Sequence, residues 1–308
     1  MELGIGDDAA ILRVRAGWEV VVTTDLLIEG RHFRRDLHAP ESVGHRCLCR
    51  GLSDIAAMGG EPTVAFLSLA LPSDAMKNGA NRRWLARFLD GFRWLADGSS
   101  VVLAGGDTGE TAVGGGMVAD IVLVGQTPRG KTLRRSGAGV GDGIYVTGAL
   151  GGAAAELATM MAGRGRRLRR SGVDGAQPQS YPEPRLSVGM ELRRRGIATA
   201  AIDISDGLST DLRHLCEASG VGAEVWAESL PLHRLAAGAD GLDRALHGGE
   251  DYELLFTAPP VARVPRRIAG VALTRIGVVM AKRKGIVLVQ ADGVKIPLAA
   301  GGWEHFRR

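Results

Sequence analysis

Three hundred and eight residues exceed the size at which a single hydrophobic core is usual, so two domains are expected. With 45% hydrophobic and 23% charged residues, and no run of about 20 apolar residues, the composition suits a folded chain; it excludes a helical membrane span, and Met1 opens no secretory leader. A formal charge of +4 suits phosphate-rich ligands without separating a nucleotide from RNA, while three scattered cysteines (Cys47, Cys49 and Cys216) exclude a disulfide framework or zinc site and fit a cytoplasmic protein.

In chain order, strands are expected over residues 9–14 and 20–25, the second ending in Thr23-Thr24-Asp25. Residues 42–58 have helical spacing, with Val43, Cys47, Leu52 and Ile55 on one buried face. A longer helix over 73–96, a short strand over 101–104 and an apolar strand over 117–124 complete the first half. From 126 to 142 the composition shifts to glycine, arginine and serine, which divides the chain into domains of residues 1–130 and 131–308. The second half begins with a strand over 143–147, a helix over 153–162 and a polar, arginine- and proline-bearing surface loop over 163–184. A helix over 185–195, a strand over 199–204 and a helix over 208–219 come next, then strands over 221–227, 252–257, 271–279 and 286–290. Strands and helices mix without a strict βαβ rhythm, so the fold class is α+β in two domains.

Glycine is the unusual component, with 45 residues where roughly 7% is ordinary, and it clusters beside acidic residues. Gly6-Asp7-Asp8-Ala9, Thr23-Thr24-Asp25, Leu52-Ser53-Asp54, Gly105-Gly106-Asp107-Thr108 and Asp203-Ile204-Ser205-Asp206-Gly207 each set an acid where a strand is expected to stop. A sixth cluster, Gly248-Gly249-Glu250-Asp251, precedes its strand. Hard cations such as Mg²⁺ take carboxylate and phosphate oxygens, and converging aspartates repel one another unless cations lie between them. Small neighbours let backbone N–H groups approach phosphate oxygens. Aspartate and glycine are also ordinary turn residues. That explanation suffices for one cluster and weakens across six.

Residues 125–132, Gly-Gln-Thr-Pro-Arg-Gly-Lys-Thr, satisfy the phosphate-loop pattern, with Asp203 as a candidate partner acid after Ala200-Ala201-Ile202. Such a loop must open a helix whose N-terminus holds the phosphates. Leu133 to Gly143 instead carries glycine at alternate positions and no apolar stripe, so a phosphate-loop enzyme is rejected.

In this order the clusters resemble the thiamine-monophosphate kinase family, within the superfamily of aminoimidazole ribonucleotide synthetase, selenophosphate synthetase and the hydrogenase-maturation dehydratase. The resemblance runs from Gly4 to Phe306. It is carried by the clusters above together with Glu29-Gly30-Arg31-His32-Phe33, Arg135-Ser136-Gly137-Ala138, Tyr252-Glu253-Leu254 and Gly302-Trp303-Glu304-His305-Phe306. It implies Mg²⁺ ligands at Asp8, Thr23, Thr24, Asp25, Asp54, Asp107, Asp203 and Asp206. ATP contacts fall at Gly106, Asp107, Arg135 and Ser205, and thiamine monophosphate contacts at His32, Glu250 and Trp303. The last three also have structural readings, as a buried histidine, a turn acid and a C-terminal anchor. The resemblance further implies two α+β domains, the N-terminal one mixed α/β and forming a homodimer through its sheet.

Two departures stand out. The family pattern has more residues ahead of the Gly-Asp-Asp segment than this chain, which suggests a shortened start. Gly98-Ser99-Ser100 occupies the region of an aromatic nucleotide contact.

The implied reaction is ATP- and Mg²⁺-dependent phosphorylation of thiamine monophosphate to the diphosphate by direct in-line transfer. A phosphate monoester is mostly dianionic at neutral pH, since its second pKa is near ~6. No dedicated catalytic acid or base is therefore expected, and charge neutralisation dominates. Sibling reactions are disfavoured: no cysteine precedes Cys47 and the chain ends Phe306-Arg307-Arg308. Arg164, Arg166, Arg167, Arg169 and Arg170 invite an RNA-binding reading, but without interleaved aromatics a solvated loop is expected, with no nucleic-acid or membrane partner.

Overall fold

The structure is a computed structural model describing residues 1–6, 8–74, 77, 79–163 and 175–303. Asp7, the five arginines between 164 and 170, and residues 304–308 lie outside the described residues.

The first half forms a four-stranded sheet from β1 (Trp18–Ile28), β2 (Glu61–Pro72), β3 (Val102–Thr111) and β4 (Val118–Pro128), in the order β1-β4-β2-β3. Helices α1 (Pro40–Ala57) and α2 (Gly79–Gly98) cover one face. Pro40 opens α1 at a position where its missing N–H costs nothing, and Val43, Cys47, Leu52 and Ile55 are buried as their spacing predicts. β2 and β3 run parallel and the other pairs antiparallel. β2 has no counterpart among the expected strands. Its run from Val64 to Leu71 is apolar without clean alternation, and both its faces are covered by the sheet's surroundings.

Three further expectations change. Residues 9–14 make no strand; the segment holds one isolated bridge, Leu3 to Ile11, while Ala10 and Leu12 pack on the outer face of the sheet. β3 does not stop at Ala104, because β2 supplies a parallel partner through Gly105, Gly106 and Asp107 to Thr111. The acids therefore do not all end strands: Asp25 and Asp107 lie inside strands and Asp54 lies in α1.

The second half forms an eight-stranded sheet. Its strands are β5 (Gly143–Thr147), β6 (Ala200–Ile204), β7 (Val221–Trp226), β8 (Glu253–Ala258), β9 (Arg267–Ile268), β10 (Val271–Ala281), β11 (Ile286–Val289) and β12 (Lys295–Pro297). The order is β12-β11-β7-β10-β5-β8-β6, with β9 paired to β10. Helices α3 (Gly152–Met161), α4 (Leu186–Arg194), α5 (Leu208–Ser219) and α6 (Gly241–His247) accompany it. Both α6 and β12 escaped the periodicity, being only 7 and 3 residues long.

No helix follows Lys131. β4 runs to Pro128, Thr132 donates to Glu19 at 2.6 Å, and irregular backbone leads to β5. The phosphate-loop match is thus part of a strand and a turn.

Helix α1 ties the two halves together. Its end buries Ala56 and Ala57 against Val188 and Leu192 of α4 and against Phe256 of β8. The approach is so close that a Cβ on Gly189 would stand 1.9 Å from the Ala56 carbonyl oxygen. This packing brings the side of α1 that carries Ser53 and Asp54 opposite the end of β6.

Candidate active site

Arg46, Arg50, Ser53 and Asp54 recur along α1 at helical spacing and so share one side of it. From this side Ser53 Oγ donates to Asp203 Oδ2 of β6 at 2.7 Å, and Thr23 Oγ1 of β1 donates to Asp54 Oδ2. Arg50 donates to Asp25 Oδ1 of β1 through Nε at 2.8 Å and Nη2 at 2.6 Å. Three chain-distant carboxylates, Asp25, Asp54 and Asp203, consequently line one cavity of about 540 Å³. Burial pushes the Asp203 carboxyl up to about 7, reinforced by the neighbouring Asp54 charge. Burial also raises Asp54, against the Thr23 hydrogen bond and with the help of Asp25.

Past β6 the chain turns through Ser205, Asp206 and Gly207, whose three N–H groups all donate to Asp211 Oδ2 at 3.1 Å. That bond set holds the Ser205 and Asp206 side chains on the cavity. Burial first, then the charges of Asp203 and Asp206, push Asp211 up to about 8 against these amides. The C-terminal segment is fastened to the same turn: Trp303 N–H donates to the Asp206 carbonyl at 2.9 Å and Gly302 N–H to Thr210 Oγ1 at 3.2 Å. A Cβ on Gly302 would meet the Asp206 carbonyl oxygen at 2.0 Å, so only glycine lets Trp303 reach the cavity this way.

The side of the cavity formed by His32 and Glu250 is built differently. Ile28 N–H donates to His32 Nδ1 at 3.0 Å, so the ring proton of the neutral tautomer is placed on Nε2. Glu250 projects from a loop in which both Glu250 (φ 67°) and Tyr252 (φ 51°) adopt left-handed backbone. Such strain is tolerated where surrounding bonds overdetermine it. Here Glu250 N–H donates to the Ser205 carbonyl at 2.8 Å, and Tyr252 N–H to the Ile204 carbonyl at 2.9 Å. Both Glu250 carboxylate oxygens accept from Arg46 Nη2 at 2.7 Å, and Gln179 donates to the same carboxylate. Burial opposes ionisation of Glu250, yet the charges of Arg46 and Arg50 carry its carboxyl below the usual range. Phe33, and Ala153, Ala154 and Leu157 of α3, supply an apolar wall beside these groups.

Of the residues singled out in the sequence, Asp25, His32, Asp54, Asp203, Ser205, Asp206, Glu250 and Trp303 line this cavity. Thr23 reaches it through Asp54, and the Arg135 charge acts on Asp54 and Asp203 from an exposed position before β5. Asp8, Thr24, Gly106 and Asp107 do not line it. Gly106 is level with Asp25 in the sheet but three strands away, about 14 Å at usual strand spacing. Asp107 pairs with Ser68, between the inward-facing Leu67 and Leu69, and therefore points to the opposite, outer face. Thr24 alternates with Asp25 onto that outer face, and Asp8 is exposed on the N-terminal arm whose Ala10 and Leu12 lie there.

Sequence reasoning missed Arg46, Arg50, Gln179 and Asp211. The spacing of Arg46 and Arg50 with Asp54 on α1 was legible, but an amphipathic helix with arginines on one side reads as a solvated face. Only the structure shows Arg46 fully buried.

The donor set fits magnesium on its own chemistry. Clustered aspartate and hydroxyl oxygens are hard ligands, and Asp54 and Asp203 are carboxyls raised first by burial and also by neighbouring acids, which a bound cation would offset.

The model of the AIR synthase related protein, N-terminal domain, matches residues 6–127, and that of its C-terminal domain matches residues 139–290. The thiamine-monophosphate kinase of Salmonella typhimurium is 38% identical over 318 residues, covering 99% of this chain and 92% of the relative. The crystal structure of thiamine-monophosphate kinase from Stenotrophomonas maltophilia K279a is 37% identical with a TM-score of 0.81, over 96% of this chain and 92% of that one. A structure of AaThiL complexed with AMPPCP and TMP is 31% identical with a TM-score of 0.79, over 96% and 89%.

Proposed function

The chain belongs to the thiamine-monophosphate kinases of the AIR synthase related family, and we propose that the cavity between its two sheets is where the reaction takes place. The enzyme uses ATP to phosphorylate thiamine monophosphate, so its acceptor group is itself a phosphate. One observation carries the siting: a buried carboxylate cluster and an anionic, aromatic-bearing end share one cavity. The first suits cations and phosphates, the second a cationic heterocycle.

Asp25, Asp54 and Asp203, with Thr23 and Asp206 beside them, would hold magnesium. Bound there, it supplies charge neutralisation between donor and acceptor phosphates. The chain's own groups do the rest. Glu250, kept ionised by Arg46 and Arg50, accepts hydrogen bonds from the aminopyrimidine; His32 Nε2–H faces the same end; the Trp303 ring lies against the thiazolium cation for roughly 0.5–2 kcal/mol. Ser205, with its backbone fixed by Asp211, and Arg135 serve the nucleotide. The acceptor oxygen is already deprotonated near neutrality, so transfer is direct and in line without a protein base.

Asp8, Thr24 and Asp107, which the outer face of the first sheet or its N-terminal arm carries, fit this scheme through a homodimer. The outer face of the first sheet leaves Val20, Val22 and Leu26 about half exposed (47%, 57% and 49%), an apolar strip suited to a second copy. Thr24 and Asp107 lie on that same face and would confront the partner. No helix among the described residues is long and apolar enough to cross a membrane.

The test is incubation with Mg²⁺ and ATP of thiamine monophosphate, thiamine and an aminoimidazole ribonucleotide precursor in separate reactions. Diphosphate from the first alone is expected. Product from either of the others, or none from the first, overturns the proposal.

A further inference from the structure

Arg50 is the guanidinium that joins the two ends of the cavity. Its side chain is 16% exposed and lines the cavity from the middle of α1. Nε and Nη2 both fall on Asp25 Oδ1, at 2.8 and 2.6 Å, and no hydrogen bond among the described residues reaches Asp25 Oδ2. Nη1 points the other way, 3.6 Å from Glu250 Oε1 and 3.5 Å from the Tyr252 hydroxyl. Both contacts are too long to be strong hydrogen bonds, so Nη1 keeps donor capacity on the cavity side. Arg50 thus stands between the carboxylate cluster at Asp25 and the heterocycle end at Glu250.

The other guanidiniums nearby are placed less well. Arg46 is committed through Nη2 to Glu250 and the His32 carbonyl and does not line the cavity. Arg34 is tied to Asp36 by two hydrogen bonds, and Arg31 sits exposed at the rim.

We propose that Arg50 is a catalytic residue that grips the acceptor's phosphate monoester through Nη1 while remaining anchored to Asp25. This deepens the function proposed above and rests on it. An acceptor with its heterocycle at Glu250, His32 and Trp303 must pass its phosphate by Arg50 to meet a donor held near Asp54 and Asp203. The planar fork suits this task, because one edge can stay on Asp25 while the other takes a phosphate oxygen. Anchored in this way, the guanidinium loses little freedom on binding.

The experiment is calorimetric titration of thiamine monophosphate and of thiamine into protein with Mg²⁺ and a non-hydrolysable ATP analogue, for wild type, R50K and R50Q. In R50Q the monophosphate is expected to bind about 10- to 100-fold more weakly, the range of one or two charge-assisted hydrogen bonds, with thiamine changed by no more than about twofold. R50K falls between, having charge without the fork, and carries the comparison if R50Q does not fold. Equal weakening of both ligands, unchanged monophosphate binding, or weakening of the ATP analogue instead overturns the role of Arg50. Wild-type protein that does not prefer the monophosphate over thiamine overturns the acceptor assignment itself, a different failure visible before any variant is made.

Discussion

Ser53 Oγ donates to Asp203 Oδ2 at 2.7 Å, joining the helix of the first half to a strand of the second inside the carboxylate cluster. The bond sits one residue from Asp54, so helix placement and cluster geometry depend on each other. Without a cation, burial first and then the charges of Asp54 and Asp25 disfavour ionised Asp203 and push its carboxyl up.

Asp203→Asn should therefore abolish diphosphate formation while leaving the metal-free protein as stable as wild type or more so. Melting with and without Mg²⁺ checks it: wild type should gain melting temperature with the cation and the variant little. An equal gain in the variant would remove Asp203 from the cation site.

Arg46 is a buried cation paired to Glu250 across the two halves. Arg46→Met leaves that carboxylate without its main partner, and breaking a buried pair typically costs about 3–5 kcal/mol. Urea unfolding should show this loss, and the Arg46→Met/Glu250→Gln double variant should recover part of it. Strict additivity of the two changes would mean the pair is not coupled.

Gly189 packs where a Cβ would stand 1.9 Å from the Ala56 carbonyl. Gly189→Ala must push α4 off α1, at about 1–3 kcal/mol or more for an overpacked contact. Because the displacement also moves the Ser53–Asp203 contact, activity should fall with stability. A variant as stable as wild type would show that the halves can part without strain.

Asp251 accepts from the N–H groups of Gly151 at 2.6 Å and Ala153 at 3.2 Å, at the start of α3. Burial nevertheless pushes its carboxyl up to about 7 from an unfolded value of 3.8. Between these values the folded state holds a proton that the unfolded state has released. Its contribution to stability is thus complete below about pH 4 and is lost as pH rises towards 7, with a slope of up to about 1.4 kcal/mol per unit. Asp251→Asn removes this term, so wild type should lose stability relative to the variant across that window in metal-free denaturation. A constant difference at every pH contradicts the shift.

For the homodimer, Val22→Asp places a charge in the middle of the exposed strip on β1. Sedimentation should find wild type as a dimer and the variant as a monomer. A monomeric wild type would leave Thr24 and Asp107 with no partner to face.

The α+β class and the helix over α1 were legible because apolar residues recur at spacings that any amphipathic element must show. The order of the acidic clusters was also legible, since short motifs keep chemistry-bearing residues together, and His32, Glu250 and Trp303, singled out by the resemblance, do line one cavity. The strand β2 was not, because apolar residues without alternation leave the period undecided.

Partnership was beyond reach of the chain order. Arg46 and Arg50 look alike on α1, yet one is buried on Glu250 and the other spans Asp25 and the cavity, a difference set by which loop packs opposite each turn. Asp25 and Asp107 look alike as acids in glycine- or hydroxyl-rich segments, yet they leave opposite faces of one sheet. A strand turns its side chains over at every residue, so only the pairing register, fixed by β2 and β4 lying between them, decides which face each acid takes.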